Sequence, residues 1–314
     1  MDIEKIKAVV IGHAIGDALG VPVEFASREE LDNAPVTDME GYGTYPMPAG
    51  SWSDDTSMSL CTLDVLGKYG LDYDRIMENF GKWHYNDEFT PTGEMFDVGN
   101  TCSIAIENYV KYKKPYTMCG LNDEMSNGNG SLMRIHPVVL YLADKDMALQ
   151  EKIEIVHTMS ALTHAHERSK IGCGIYAFVL WELLNNPTMF ALRDGLSKAE
   201  QFYKGQAEPV NYSRLFERTF IITKREDIKS SGYIVDTLEA AVWCLLTTKS
   251  YKESVLKEVN LGDDTDTVAA VTGGLAGALY GYDAIPEEWR NNLLKREYIE
   301  KMCYYDENGE VVVW

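Results

Sequence analysis

Residues 260–281 read NLGDDTDTVAAVTGGLAGALYG, an acid- and hydroxyl-rich half followed by an apolar, small-residue half. Carboxylates and hydroxyls ahead of an apolar run cap the free N–H groups of a starting helix and complement its dipole, so the stretch predicts a helix opening near Thr267. Its composition requires burial. Gly273, Gly274 and Gly277 would let a second helix approach closely, although small residues at such spacing are also ordinary helix packing. The same arrangement stands at Ser53-Asp54-Asp55-Thr56, which leads into MSLCTLDVL. Elsewhere apolar residues recur at helical spacing: Ile3, Ile6, Val10 and Ala14; Met58, Cys61, Val65 and Leu66; Leu238, Ala241, Val242 and Leu245. Period-two alternation is almost absent. Gly70 follows Lys68-Tyr69 like a helix C-cap, and Pro286 precedes Glu287-Glu288-Trp289 like a helix start. The chain reads as all-α, one compact bundle over residues 1–314.

Loop-like segments span about 85–130 and 187–233, rich in Gly, Asn, Pro and charge, and the closing VVVW suits a strand or a packed tail. The 314 residues carry 29 Lys+Arg against 49 Asp+Glu, a formal charge of −20. That excess repels phosphate backbones and anionic lipid, which argues against a nucleic-acid or membrane partner held by a basic surface. A phosphate-bearing ligand would have to be met by backbone N–H groups, single Arg or His side chains, or bound cations. Cys61, Cys102, Cys119, Cys173, Cys244 and Cys303 show no C-x-x-C spacing and sit mostly among apolar neighbours, the pattern of buried thiols in a cytoplasmic protein. The first residues, MDIEKIKAVV, lack the basic region of a signal peptide, and no uninterrupted apolar run reaches the roughly 18 residues of a membrane span.

For one acidic cluster, capping is a sufficient explanation. Two clusters of paired acids, each opening a buried helix, are harder to explain that way, because crowded carboxylates repel one another unless a cation or proton intervenes. If the two helices lie side by side, Asp54, Asp55, Asp264 and Asp266 converge, with Ser53 and Thr267 adding neutral oxygens. An all-oxygen set suits Mg²⁺ or Mn²⁺, and one bridging aspartate would hold two ions. Competing motifs fit less well. Asp264-Thr265-Asp266-Thr267-Val268 matches the D-x-D-x-[TV] of haloacid-dehalogenase-type phosphatases, but that motif ends a β-strand. An EF-hand loop would place Val268 at position five and lacks the closing Glu, and Asp54-Asp55 lacks the third acid of an isoprenoid-synthase D-D-x-x-D.

Three further segments carry polar residues at helix junctions. Glu24 follows a Pro-led turn after Gly12-His13-Ala14-Ile15-Gly16-Asp17-Ala18-Leu19-Gly20. The loops 93–101 (GEMFDVGNT) and 126–134 (SNGNGSLMR) place Gly and Asn ahead of a helix, where backbone N–H groups meet anions. His164 and His166 lack the further ligands that zinc requires and suit hydrogen bonding to a ligand, or a structural role.

Taken in order, GHAIGDALGVPVEF, AGSWSDDTSMSL, FDVGNT, SNGNGSLMRIHPV, LTHAHERS, SGYIVDTLEAAVWCLL, NLGDDTDTVAAVTGGLAGALYG and AIPEEW resemble the ADP-ribosylglycohydrolase family, from about residue 5 to 300. The resemblance implies an all-α, roughly orthogonal bundle with a binuclear Mg²⁺ or Mn²⁺ centre in a cleft, held by Ser53, Asp54, Asp55, Asp264, Asp266 and Thr267. Glu24 would be a further ligand or a gating acid/base. Ser53 stands where many members have Thr, which keeps the hydroxyl. The loop of Phe96, Asp97, Gly99 and Asn100 would surround the ribose being released. Ser126, Asn127, Gly128, Asn129 and Gly130 would line the diphosphate and distal ribose, with His164 on the phosphate or adenosine side. The implied activity is hydrolysis at C1″ of an ADP-ribosyl group, with Glu24, Asp55 and Asp97 as catalytic groups and mono-ADP-ribosyl-arginine on protein as the leading substrate. An ADP-ribose-containing small molecule or an ADP-ribosylated nucleic acid is a less favoured acceptor. The expected state is a monomer. A metal-dependent phosphoesterase or diphosphohydrolase, and a non-catalytic ADP-ribose-binding protein, are the alternatives.

Overall fold

The computed structural model describes residues 2–304, and the closing VVVW lies outside them. Helices of eight residues or more are α1 (Ile3–Gly20), α2 (Asp54–Tyr69), α3 (Tyr73–Asn86), α4 (Asn100–Val110), α5 (His136–Ala143), α6 (Leu149–Ala161), α7 (Glu167–Asn185), α8 (Met189–Phe202), α9 (Ile234–Leu246), α10 (Tyr251–Val259), α11 (Thr265–Tyr280) and α12 (Arg296–Tyr304). Among the described residues the only β-type pairings are two isolated bridges, Leu121 with His164 and Gly128 with Tyr233. The all-α expectation therefore holds.

The axis of the fold is the antiparallel pair α1–α11. Gly12, Gly16 and Gly20, one helical turn apart, lie against Gly273, Ala269 and Asp266, and Gly277 lies against Ala8. A Cβ at Gly16 would stand 2.0 Å from the Ala269 carbonyl oxygen, and one at Gly20 would stand 2.3 Å from Asp266 Cα. Only hydrogen fits there, so the backbones touch. The Thr265 hydroxyl donates to the Gly20 carbonyl (2.8 Å) and the Tyr251 hydroxyl to that of Gly12 (2.6 Å), which fixes the register. The glycine-rich helix thus spends its small residues on α1 and not on the helix that follows Ser53; the two acidic clusters meet only at their helix starts. α1 also has the length and mean hydropathy (1.5 over its most apolar window) of a membrane span, but 83% of that window is buried inside the protein.

The start of α2 is docked on α1 by one side chain. Asp17 accepts hydrogen bonds from the backbone N–H groups of Ser53 (2.8 Å) and Thr56 (3.1 Å) and from the Thr56 hydroxyl (2.6 Å). All six cysteines are buried thiols, as their apolar settings suggest. The segment 187–233 departs from expectation. Thr188 caps α8, whose Leu192, Leu196 and Ala199 are buried at helical spacing, and loop structure begins only after it. The loop 126–134 also differs, because it turns through Ser131–Arg134 before α5 begins at His136, so its N–H groups belong to the loop itself.

Candidate active site

The ends of α1, α2 and α11 bring acids from three parts of the chain together. One oxygen each from Asp17, Asp55 and Asp266 lie within 4.8 Å of one another, as do oxygens of Glu24, Asp264 and Asp266. Asp266 belongs to both groups. Ser53 caps α2, donates to Asp55 Oδ2 (3.0 Å), and Thr267 donates to the same oxygen (3.2 Å). Because Asp17 supplies the capping acid for α2, Asp54 and Asp55 are released from that duty.

Burial dominates the electrostatics. It pushes Glu24 up to about 8, aided by repulsion from Asp97, and Asp17 up to about 7 against the hydrogen bonds it accepts. Asp54, Asp55 and Asp266 are raised well above the carboxylate range, first by burial and then by neighbouring acids, and Asp264 is raised by burial. Asp97 reaches about 6 through burial and the charge of Asp264. Glu24 Oε2, Asp55 Oδ1 and Asp266 Oδ2 are buried and have no hydrogen-bond partner. Orphaned carboxylate oxygens from separate segments, aimed at shared points, are the donor set of a hard cation.

Above these acids lies a cavity of about 370 Å³, within the range of small-molecule sites. Glu24, Asp54, Asp264 and Thr267 form its acid-lined part, Asp97–Cys102 contribute a second segment, and Gly128, Asn129, Gly130, His164 and Gly232 form a loop-lined part that reaches Asp264 through Asn129 and Gly232. Asp55 and Asp266 lie behind this lining. The Gly99 N–H donates to Asp54 Oδ2 (3.4 Å), and Asn129 Nδ2 donates to Asp264 Oδ2 (2.7 Å) and to Thr237 (3.0 Å), so each loop is tied to an acid.

His164 is fully buried and lowered to about 3, a neutral imidazole. Arg134 donates to the Thr163 hydroxyl (2.6 Å), which pairs with His164 Nδ1 (2.8 Å). Assigning the Thr163 hydrogen to Nδ1 leaves the imidazole proton on Nε2, next to Gly128 and Gly130. A Cβ at Gly130 would stand 2.9 Å from His164 Cε1, so glycine keeps this ring and the loop in contact.

Several residues singled out in the sequence stand behind the cavity wall. Ser126 donates to Asp123 (2.7 Å), and Asn127 accepts from Ser169 (2.9 Å) and donates to the Glu124 carbonyl (2.9 Å), so both brace the loop. Phe96 packs on the Tyr45 ring, centroids 5.0 Å apart, while the cavity lining begins at Asp97. His166 caps α7. Two residues escaped the sequence reading. Asp17 sits inside an apolar helix and carried no signal of its own; Tyr45, in a Gly- and Pro-rich loop, brings its hydroxyl near both Glu24 and Asp97, where it favours their charged forms against burial.

Comparison with known proteins adds an independent line. A family model described as ADP-ribosylglycohydrolase matches residues 2–310. The ADP-ribosylarginine hydrolase Tri1 of Serratia proteamaculans is 34% identical over 303 residues, covering 96% of this chain and 78% of that protein. The ADP-ribosyl-[dinitrogen reductase] glycohydrolase of Rhodospirillum rubrum is 31% identical over 297 residues, covering 92% and 90%. A solved chain titled "ADP-ribosylglycohydrolase-related protein complex" superposes with a TM-score of 0.80 at 30% identity, covering 96% of each chain.

Proposed function

The chain belongs to the ADP-ribosylglycohydrolase family and removes ADP-ribose from an acceptor; within that activity we propose that the acceptor is an arginine side chain of a protein, and that the acid cluster holds two Mg²⁺ or Mn²⁺ ions. The observation that carries the reading is the set of orphaned oxygens of Glu24, Asp55 and Asp266 beside a cavity that a Gly-Asn-Gly loop also lines. The two carboxylate groups that share Asp266 suit two ions: Asp17, Asp55 and Asp266 would hold one and Glu24, Asp264 and Asp266 the other, with Ser53, Asp54 and Thr267 as neighbouring oxygen donors. Bound there, divalent cations supply Lewis acidity toward ribose hydroxyls and water.

The chain's own groups divide the remaining work. Gly128 and Gly130 offer backbone N–H groups, the Asn129 N–H being spent on the Gly232 carbonyl (2.9 Å), and His164 Nε2–H offers a neutral donor, to the diphosphate. The half-buried ring of Tyr233, whose backbone is bridged to Gly128, suits the adenine. At the acid end, water adds to C1″ as the C1″–N bond breaks; Glu24 or Asp55 takes the proton of that water, and that proton passes on to the leaving guanidine, which regenerates the carboxylate. Asp97, held in a left-handed backbone conformation (φ 54°), faces this end and contacts the guanidinium. The surrounding carboxylates stabilise positive charge developing on the ribose. Acting as a single-domain cytoplasmic monomer completes the proposal.

The test incubates the protein with Mg²⁺ or Mn²⁺, and then with chelator, against proteins ADP-ribosylated on arginine or on serine, identifying products by mass spectrometry. Cation-dependent release of intact ADP-ribose from the arginine-modified protein is expected. Release from the serine-modified protein alone would overturn the acceptor assignment.

A further inference from the structure

Phe25 and Asp263, both exposed, line the catalytic cavity next in sequence to Glu24 and Asp264, and both also line a second groove of about 560 Å³ walled by Ala26–Arg28, Glu226, Ile228–Ser231 and Leu261. The larger cavity of about 610 Å³ beside α8 shares no residue with the acid-lined one.

Phe25 and Asp263 occupy the left-handed region of backbone space, at φ 66° and 69°. They are locked together, because the Phe25 N–H donates to the Asp263 carbonyl (2.7 Å) and the Asp263 N–H to that of Ala26 (2.8 Å). Few side chains tolerate this conformation, and a bulky one is strained there. The arrangement presents the Phe25 ring 66% exposed, and the Asp263 carboxylate is exposed with no hydrogen bond or ion pair among the described residues. The groove's walls are tied together by Arg28, whose guanidinium donates to the carbonyls of Leu261 (2.8 Å), Arg225 (2.7 Å) and Ile228 (2.7 Å) and is not paired with Asp263 among the described residues. Lys229 is the other cation lining the groove, and Glu226 adds a second exposed acid.

We propose that this groove receives the polypeptide that flanks the modified residue of the acceptor, and that Asp263 pairs with a cationic side chain of that polypeptide. The inference rests on the arginine-hydrolase reading above. The bond to be cut lies at the acid end, beside Glu24 and therefore beside Phe25, and the groove continues outward from that point through shared walls. Phe25 supplies an apolar platform at the crossing. An exposed, unpaired carboxylate at such a place acts chiefly on encounter and selectivity, and its effect weakens with salt.

The experiment compares two substrates with the same scissile bond: an arginine-ADP-ribosylated protein and free ADP-ribosyl-arginine. Asp263→Asn suits the test because Asn tolerates the left-handed backbone, so charge is removed while the turn is kept. Glu226→Gln, farther from the acids, is the second variant. For Asp263→Asn, kcat/KM on the protein substrate falls about fivefold and loses much of its ionic-strength dependence, while kcat/KM on ADP-ribosyl-arginine stays within about twofold. Glu226→Gln gives a smaller loss in the same direction. An equal fall on both substrates would place Asp263 with the acid cluster and overturn the groove's role, as would no fall on either. Wild-type protein that cleaves neither substrate overturns the arginine reading and the groove assignment together, whereas wild-type cleavage of both with no selective loss overturns the groove alone.

Discussion

The acid-lined and loop-lined parts of the catalytic cavity meet at Asp264 and Asn129, yet they are built on opposite plans. At the acid end, buried carboxylate oxygens of Glu24, Asp55 and Asp266 lack partners, and burial raises the pKa of every acid in the cluster. At the loop end, Ser126, Asn127 and His164 have their side-chain hydrogen bonds met by Asp123, Ser169 and Thr163, and Asn129 reaches across to Asp264. One end is left electrostatically incomplete and is stabilised by what binds; the other is finished in advance and presents only backbone and one imidazole. Electrostatic tension at one end of a site is tolerated because the other end, and the helices behind it, hold the geometry.

Changing the aspartate common to both carboxylate groups should break the acid end outright. Asp266→Asn is expected to lower kcat by about 10³-fold with helical content by circular dichroism unchanged, since it alters charge and not shape. Gly16→Ala attacks the frame instead. A methyl 2.0 Å from the Ala269 carbonyl forces α1 and α11 apart, and we expect a loss of about 3 kcal/mol or more in denaturant unfolding.

A third measurement uses the acids themselves. A carboxyl whose pKa is higher folded than unfolded holds its proton more tightly in the fold, so its stabilising contribution is complete below the unfolded value near 4 and is lost as pH rises through the folded one. Asp17 at about 7 and Glu24 at about 8 set that window. The cation-free protein should therefore lose about 5 °C of Tm between pH 5 and pH 8. Saturating Mg²⁺ should raise Tm more at pH 8 than at pH 5. A flat cation-free profile would show that the acids are not in tension. At the finished end, His164→Ala should raise KM for the ADP-ribosylated substrate about tenfold with little change in Tm. Tyr45→Phe, which removes a hydroxyl that favours the charged forms of Glu24 and Asp97, should lower kcat about threefold and shift the acidic limb of the pH profile.

How much of this was legible in the sequence follows from the kind of signal each residue leaves. The doubled acids at 54–55 and 264–266 are conspicuous because a cap needs only one, and the Gly-Asn loops advertise themselves by composition. Asp17 does the same physical work as those acids but lies within a helix of apolar spacing, where its partners, Ser53 and Thr56, are distant in sequence. Tyr45 is invisible for the same reason. Helix α8 was masked by Asn185-Asn186-Pro187 before it and Gly205 after it, which read as loop, although its apolar positions are helical. The pairing of α1 with α11 was half-visible: both glycine sets stand out, but spacing alone does not say which helix meets which.

That pairing has a consequence for how the protein is made. The hydrogen bond from Thr265 to Gly20 joins residues 245 apart in the chain, so the catalytic centre can assemble only after the whole stretch between them has been made. Until then α1, which the folded protein buries from Ala8 to Gly20, lacks the helix that covers its glycine face. Apolar surface left open in a partly made chain is where association with other chains begins, and here it belongs to the helix that later forms the axis of the enzyme.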